Sequence, residues 1–107
     1  MVLLVSITRF PVSKAKVVSE RYIEVAKKYP PDRSLEKVIL RMAARVVGNE
    51  IESISVTEVK EGKYEEVLKR ATEQQLLYFD IEGMNFRVDT FFSGVEALPM
   101  IGLEMPE

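Results

Sequence analysis

Two stretches of helical periodicity, each flanked by strand-like runs, constrain this chain more than any other feature of its sequence. Val2 to Phe10 is a nearly continuous apolar run, rich in branched side chains and stopped by Pro11, the pattern of a strand covered on both faces. Beyond it, Ser13 is placed to cap a helix. Ala15, Val18, Tyr22, Val25, Ala26 and Tyr29 then recur at helical spacing until Pro30-Pro31. Further on, Leu40, Met42, Ala44 and Val46 alternate with Arg41, Ala43, Arg45 and Val47. After Gly48-Asn49, Ile54 and Val56 alternate with Ser53, Ser55 and Thr57. Two alternating runs about a Gly-Asn turn predict a β-hairpin, with a single helical turn ahead of it near Ser34. A second helix is expected over Lys63–Tyr78, with Tyr64, Val67, Leu68, Ala71 and Gln75 on one face. A last strand is expected over Met84–Phe92.

The order strand, helix, strand, strand, helix, strand, joined by right-handed crossovers in one sheet, leads to a ferredoxin-like α+β domain over residues 1–93. Its four-stranded antiparallel sheet carries both helices on one face. A small chain covers the bare second face most simply by dimerising. From Val2 to about Phe92 this element order resembles the dimeric α+β barrel superfamily, which includes antibiotic-biosynthesis monooxygenases and muconolactone isomerases. The resemblance implies a homodimer closed through its sheets. It also implies a cofactor-independent monooxygenase or isomerase as one possible activity, although this chain lacks the His and Trp residues those families often use, and no catalytic residue is carried over. Residues 94–107 form an apolar tail containing Pro99 and Gly102, too short for an independent element. The tail is expected to pack on its own domain or on the dimer partner.

Composition removes whole classes of chemistry. The chain has 107 residues, room for one domain, and contains no His, no Cys and no Trp. Thiol nucleophiles, imidazole acid–base catalysis, serine triads of the usual kind and ordinary zinc sites are thereby excluded. The formal net charge is −2 and the cations are scattered, so there is no electrostatic footprint for nucleic acid. No stretch approaches the roughly 20 apolar residues of a membrane span, and the short apolar start lacks a basic leader. A cytoplasmic location is expected, and few Asn and Gln beside abundant Glu and Lys lean towards a thermophilic source.

The candidate site follows from which side chains the open face collects. If Leu3, Val5 and Ile7 point to the helices, then Ser6, Thr8 and Phe10 lie on the open face. For the hairpin, a one-residue offset is preferred to a two-residue turn because it keeps Leu40, Met42, Ala44, Ile54 and Val56 together. Burying each such side chain contributes about 1.5–3 kcal/mol. The offset pairs Arg45 with Ser53 and Arg41 with Thr57. In strand four, Met84, Phe86 and Val88 go inward, leaving Asn85, Arg87, Asp89 and Phe91.

The predicted ligand-binding set is therefore Ser6, Thr8, Arg41, Arg45, Ser55, Thr57, Arg87 and Asp89, with Ser53 beside them. Guanidinium forks suit carboxylates and phosphates, and equally suit ion pairs with Asp89, Glu52 or a partner's acids. Asp89 becomes a general base only if an apolar cavity raises its pKa, and Arg87 two residues away opposes that. Asp80-Ile81-Glu82 is too common a pattern to mark a metal site, no Gly-rich phosphate loop occurs, and no cofactor is implied. The expected function is a small homodimeric protein that binds an anionic or amphipathic molecule in a sheet-lined cavity. The alternatives are the enzyme that the resemblance implies and a purely structural interaction module.

Overall fold

The computed structural model describes residues 1–107. β1 (Val2–Pro11) leads through a 3-10 turn at Val12–Lys14 into α1 (Ala15–Lys28). β2 (Glu36–Val47) and β3 (Glu50–Val59) form a hairpin, followed by α2 (Tyr64–Leu76) and β4 (Asn85–Phe92). The strands make one antiparallel sheet in the order β2-β3-β1-β4. This is the ferredoxin-like α+β fold that the element order predicts. No helix is long and apolar enough to cross a membrane.

Local details depart from expectation in two places. Ser13 does not cap α1; it lies inside the 3-10 turn, and the helix begins at Ala15 without a side-chain cap. A single turn does form at Ser34, as expected: the Leu35 and Glu36 N–H groups both donate to the Asp32 carbonyl, at 3.0 and 3.1 Å, while the Ser34 backbone N–H and hydroxyl donate to Asp32 Oδ1, at 2.9 and 2.6 Å. That Asx turn releases the chain straight into β2 at Glu36. The tail is not featureless: a short α3 (Gly94–Ala97) and a 3-10 turn (Leu98–Ile101) follow β4 directly.

The core reveals which face of the sheet the helices cover. Phe10 packs with Val18 and Val25 of α1 and with Tyr78 and Ile81 beyond α2; Leu4 packs with Val59 and with Val67 of α2. Leu4 and Phe10 lie an even number of residues apart on one strand, so they share a face. Both helices therefore cover the face that carries Leu4, Ser6, Thr8 and Phe10. Leu3, Val5 and Ile7 lie on the open face, the reverse of the sequence expectation. A run apolar at nearly every position has no alternation to orient it, and the buried Leu4 and Phe10 decide the matter.

The hairpin register is also corrected. Val46 pairs with Ile51, Arg45 with Glu52 and Ala44 with Ser53. This is the two-residue Gly48-Asn49 turn, with Gly48 at φ 59° in the first central position, where a type II′ turn places glycine. Neither Arg45–Ser53 nor Arg41–Thr57 forms; Thr57 pairs with Val38. The extra residues appear instead as two register shifts farther along β2, between Val38 and Leu40 and between Leu40 and Ala43. Turn chemistry sets the register at the hairpin tip, and bulges in an edge strand absorb the mismatch.

One glycine is sterically required. Gly83 enters β4 at φ 84°, and a Cβ there would lie 2.8 Å from Pro11 Cγ. The whole chain is elongated, 48 × 31 × 19 Å, with a radius of gyration of 15.5 Å. A compact domain of about 100 residues has a radius near 13 Å.

Candidate functional site

Alternation along β1 places two hydroxyls, Ser6 and Thr8, between the buried anchors Leu4 and Phe10. Their cross-strand partners on β3 are Ser55 and Ser53, and Thr57 stands opposite Leu4. Five hydroxyl side chains thus occupy the middle of the covered face, where a helix–sheet core is ordinarily branched and apolar. The core divides around them into the Phe10 cluster and the Leu4 cluster. Between the two lies a partly open cavity of about 600 Å³. Of the row, Thr57 has a partner within the protein, donating to the Lys37 carbonyl at 3.1 Å. The other hydroxyls turn their hydrogen-bonding capacity towards the cavity, where water or a ligand must meet it.

Walls and ends come from the helices and from β2. Val18, Tyr22, Ile23 and Val25 of α1 line one side, and Val67, Gln74 and Gln75 of α2 another; Phe86 and Tyr78 close one end. The Tyr78 and Phe86 rings meet in a tilted pair with centroids 5.7 Å apart. Burial pushes the Tyr78 phenol up to about 12, so it remains a neutral hydrogen-bonding group at physiological pH. Towards the other end stand Glu36 and Arg70. Burial raises the Glu36 carboxyl above its ordinary value, while the Thr57 hydroxyl beside it and the Arg70 charge act in the opposite sense.

Two clamps hold the helix layer over this space. Arg21 of α1 grips Asp80 with both guanidinium nitrogens, at 2.7 and 2.9 Å, and also donates to the Leu77 carbonyl. This bidentate bond holds the Asp80 carboxyl down at about 2. Arg70 of α2 donates to the Pro30 carbonyl, lies 3.8 Å from Asp32 and covers the Tyr29 ring at 5.6 Å. Each clamp ties one helix to the segment after the other, so the cavity is spanned at both ends.

The eight residues of the predicted site are divided between the two faces. Ser6, Thr8, Ser55 and Thr57 line the cavity beneath the helices, and Arg41 of the edge strand β2 borders it while remaining exposed. Arg45, Arg87 and Asp89 lie on the open face, where each has a partner. Arg45 Nε donates to Glu52 Oε1 at 2.9 Å, and Arg87 Nε donates to Asp89 Oδ2 at 2.8 Å. The hydroxyl row and the Arg87–Asp89 pair therefore never meet. Sequence reasoning missed Tyr22, Glu36, Arg70 and Gln74 as lining residues. Gln75 carried a readable signal, a polar amide on the otherwise apolar face of α2.

The sequence matches no protein-family model and no curated protein. Among solved structures the chain is similar to a de novo designed protein, Foldit4. The two are 16% identical with a TM-score of 0.50, over 87% of this chain and 99% of that one. It is also similar to aminopeptidase PepT from Bacillus cereus, at 12% identity and a TM-score of 0.50. That match covers 99% of this chain and 37% of the other, so the chain spans little more than a third of that enzyme. A formyltetrahydrofolate deformylase from Pseudomonas putida is 10% identical with a TM-score of 0.45, over 81% of this chain and 28% of that one. At such identities the likeness concerns the fold alone.

Proposed function

We propose that this protein binds a small amphipathic molecule in the cavity between its helix layer and its sheet. The observation that carries this reading is the row Ser6, Thr8, Ser53, Ser55 and Thr57, set on the covered face beneath about 600 Å³ of space. Volumes of about 300–1,000 Å³ are usual for small-molecule sites, as are apolar walls with a few convergent polar groups. Leaving a hydroxyl unpartnered in a packed core costs about 1–3 kcal/mol, so the four of this row without a protein partner fit a space meant to be filled by a hydrogen-bonding guest. Binding takes precedence over catalysis because the sequence supplies no histidine or thiol to act in the cavity.

The working form is a homodimer. The open face carries an uncovered stripe, Leu3, Val5 and Ile7 of β1 beside Ile54 and Val56 of β3. Most of its flanking charges are matched: Arg45 and Arg9 with Glu52, and Arg87 with Asp89, while Glu58 opposite Leu3 forms no ion pair. An apolar face with its charges largely paired meets a second copy of itself with little like-charge repulsion. The elongated outline also fits half of a shared core.

Titration with N-phenyl-1-naphthylamine, an uncharged apolar fluorophore, tests the binding reading. One saturable site per chain is expected, lost in Ser55→Leu while the far-ultraviolet circular dichroism is retained. Unsaturable binding, or full binding by that variant, would overturn the cavity assignment. Sedimentation at micromolar concentration tests the dimer, with about twice 12.2 kDa expected.

A further inference from the structure

We infer that Glu36 receives the charged end of the cavity's ligand, which makes that ligand an amphipathic cation. The inference rests on the binding reading above and adds the chemical class of what is bound. Its first support is position. At the start of β2 the pairing is regular: Glu36 stands opposite Val59, Lys37 opposite Glu58 and Val38 opposite Thr57. Val59 belongs to the buried Leu4 cluster and Thr57 to the hydroxyl row, so Glu36 and Val38 share the covered face with them. Glu36 is accordingly partly buried and lines the cavity, whereas Lys37 beside it is exposed and does not.

The second support is charge. No cation of the chain lies within ion-pair distance of Glu36. The charges that act on it are Arg70 and Asp32, and these lie 3.8 Å from each other, so they largely cancel. The Thr57 hydroxyl is beside Glu36, but its one proton goes to the Lys37 carbonyl, at 3.1 Å. Burial therefore outweighs the neighbours that would favour the charged form. A carboxylate short of partners at the wall of an apolar space is completed by an ammonium, whose N–H groups donate charge-assisted hydrogen bonds to it. From Thr57 the hydroxyl row runs about 13 Å to Ser53, at about 3.3 Å per residue. Beyond Ser53, across Thr8, stands Phe86 with Tyr78 against it. The ligand's apolar body therefore extends from a charged end at Glu36 towards that aromatic pair.

Decylammonium, decanol and decanoate share one alkyl chain and differ in charge, and each can be made to displace N-phenyl-1-naphthylamine from the full chain. Decylammonium is expected to displace it about tenfold more tightly than decanol, the scale of one charge-assisted contact, with decanoate the weakest. Glu36→Gln should remove the preference for the ammonium and leave the fluorophore's own affinity within about twofold. The same change at Glu58, a carboxylate of the open face, should leave the preference intact. Decanoate or decanol displacing as well as decylammonium overturns the cationic class. A preference that survives Glu36→Gln, or a variant that loses the fluorophore too, overturns the role of Glu36. So does equal loss in Glu58→Gln, which would reduce the preference to general attraction by an acidic chain. If the fluorophore does not bind the unsubstituted protein at one site per chain, the cavity reading itself fails, and this inference with it.

Discussion

The two faces of the sheet are reversed in character. Beneath the helices, where apolar side chains are expected, lie Ser6, Thr8, Ser53, Ser55 and Thr57; on the bare face lie Leu3, Val5, Ile7, Ile54 and Val56. Polarity therefore does not reveal which side of this sheet its own helices cover. What orients the sheet is size at the ends of β1, since Leu4 and Phe10 are the residues that reach the helix layer and become buried. Between them, hydroxyls take up little volume and leave a space. Across the sheet, the apolar stripe leaves a surface in want of a cover.

The sharpest way to break this contrast is truncation on each side. Phe10→Ala removes the centre of one core cluster and should cost about 3–5 kcal/mol in urea unfolding, whatever the protein concentration. Ile7→Ala, three residues away on the other face, should show a cost that grows with concentration if the proposed dimer places its contacts between copies. A cheap Phe10→Ala with a costly, concentration-independent Ile7→Ala would invert the faces.

A charge on the stripe is the next strongest test. Val5→Lys should leave a folded chain that sediments at half the unsubstituted mass; an unchanged mass would remove the second copy from the open face. Filling the cavity acts in the opposite direction on stability. Ser6→Val should raise the unfolding free energy by about 0.5–2 kcal/mol and abolish binding of the neutral fluorophore, and a destabilised variant would mean that the space is not available to a methyl group.

The smallest effect gives a baseline that involves neither face. Arg21 holds Asp80 at about 2, against an ordinary value of 3.8. The unfolded chain therefore takes up this proton first on acidification. The contribution of the pair is complete above pH 3.8 and is lost as pH falls through about 2. In Asp80→Asn that part of the acid dependence should flatten, seen as a shallower fall in melting temperature over this interval.

Element order was legible because periods of two and of 3.6 residues, with Pro11, Pro30-Pro31 and Gly48-Asn49 as punctuation, read directly from the chain. The orientation of β4 was legible too, since Phe86 and Val88 alternate with Arg87 and Asp89. β1 was not, because Leu3, Leu4 and Val5 are interchangeable by hydropathy and the choice depends on tertiary contacts with Val18, Val25 and Val67. The error spread through cross-strand pairing. Once Ser6 and Thr8 turn inward, Ser55, Ser53 and Thr57 must follow, and four members of the predicted site move to the covered face together with Ser53. Along β2 the pairing slips twice between Val38 and Ala43, and no pattern of period two forecasts a bulge.

The divided core has a consequence for how the domain holds together. Phe10, Val18, Val25, Tyr78 and Ile81 form one body, and Leu4, Val59 and Val67 the other, with the hydroxyl row between. Such bodies open independently to the extent that little joins them, and amide hydrogen exchange reads that independence strand by strand. A guest seated between them touches both. Its arrival would then register far from any contact it makes, as the two ends of β1 slowing their exchange in step.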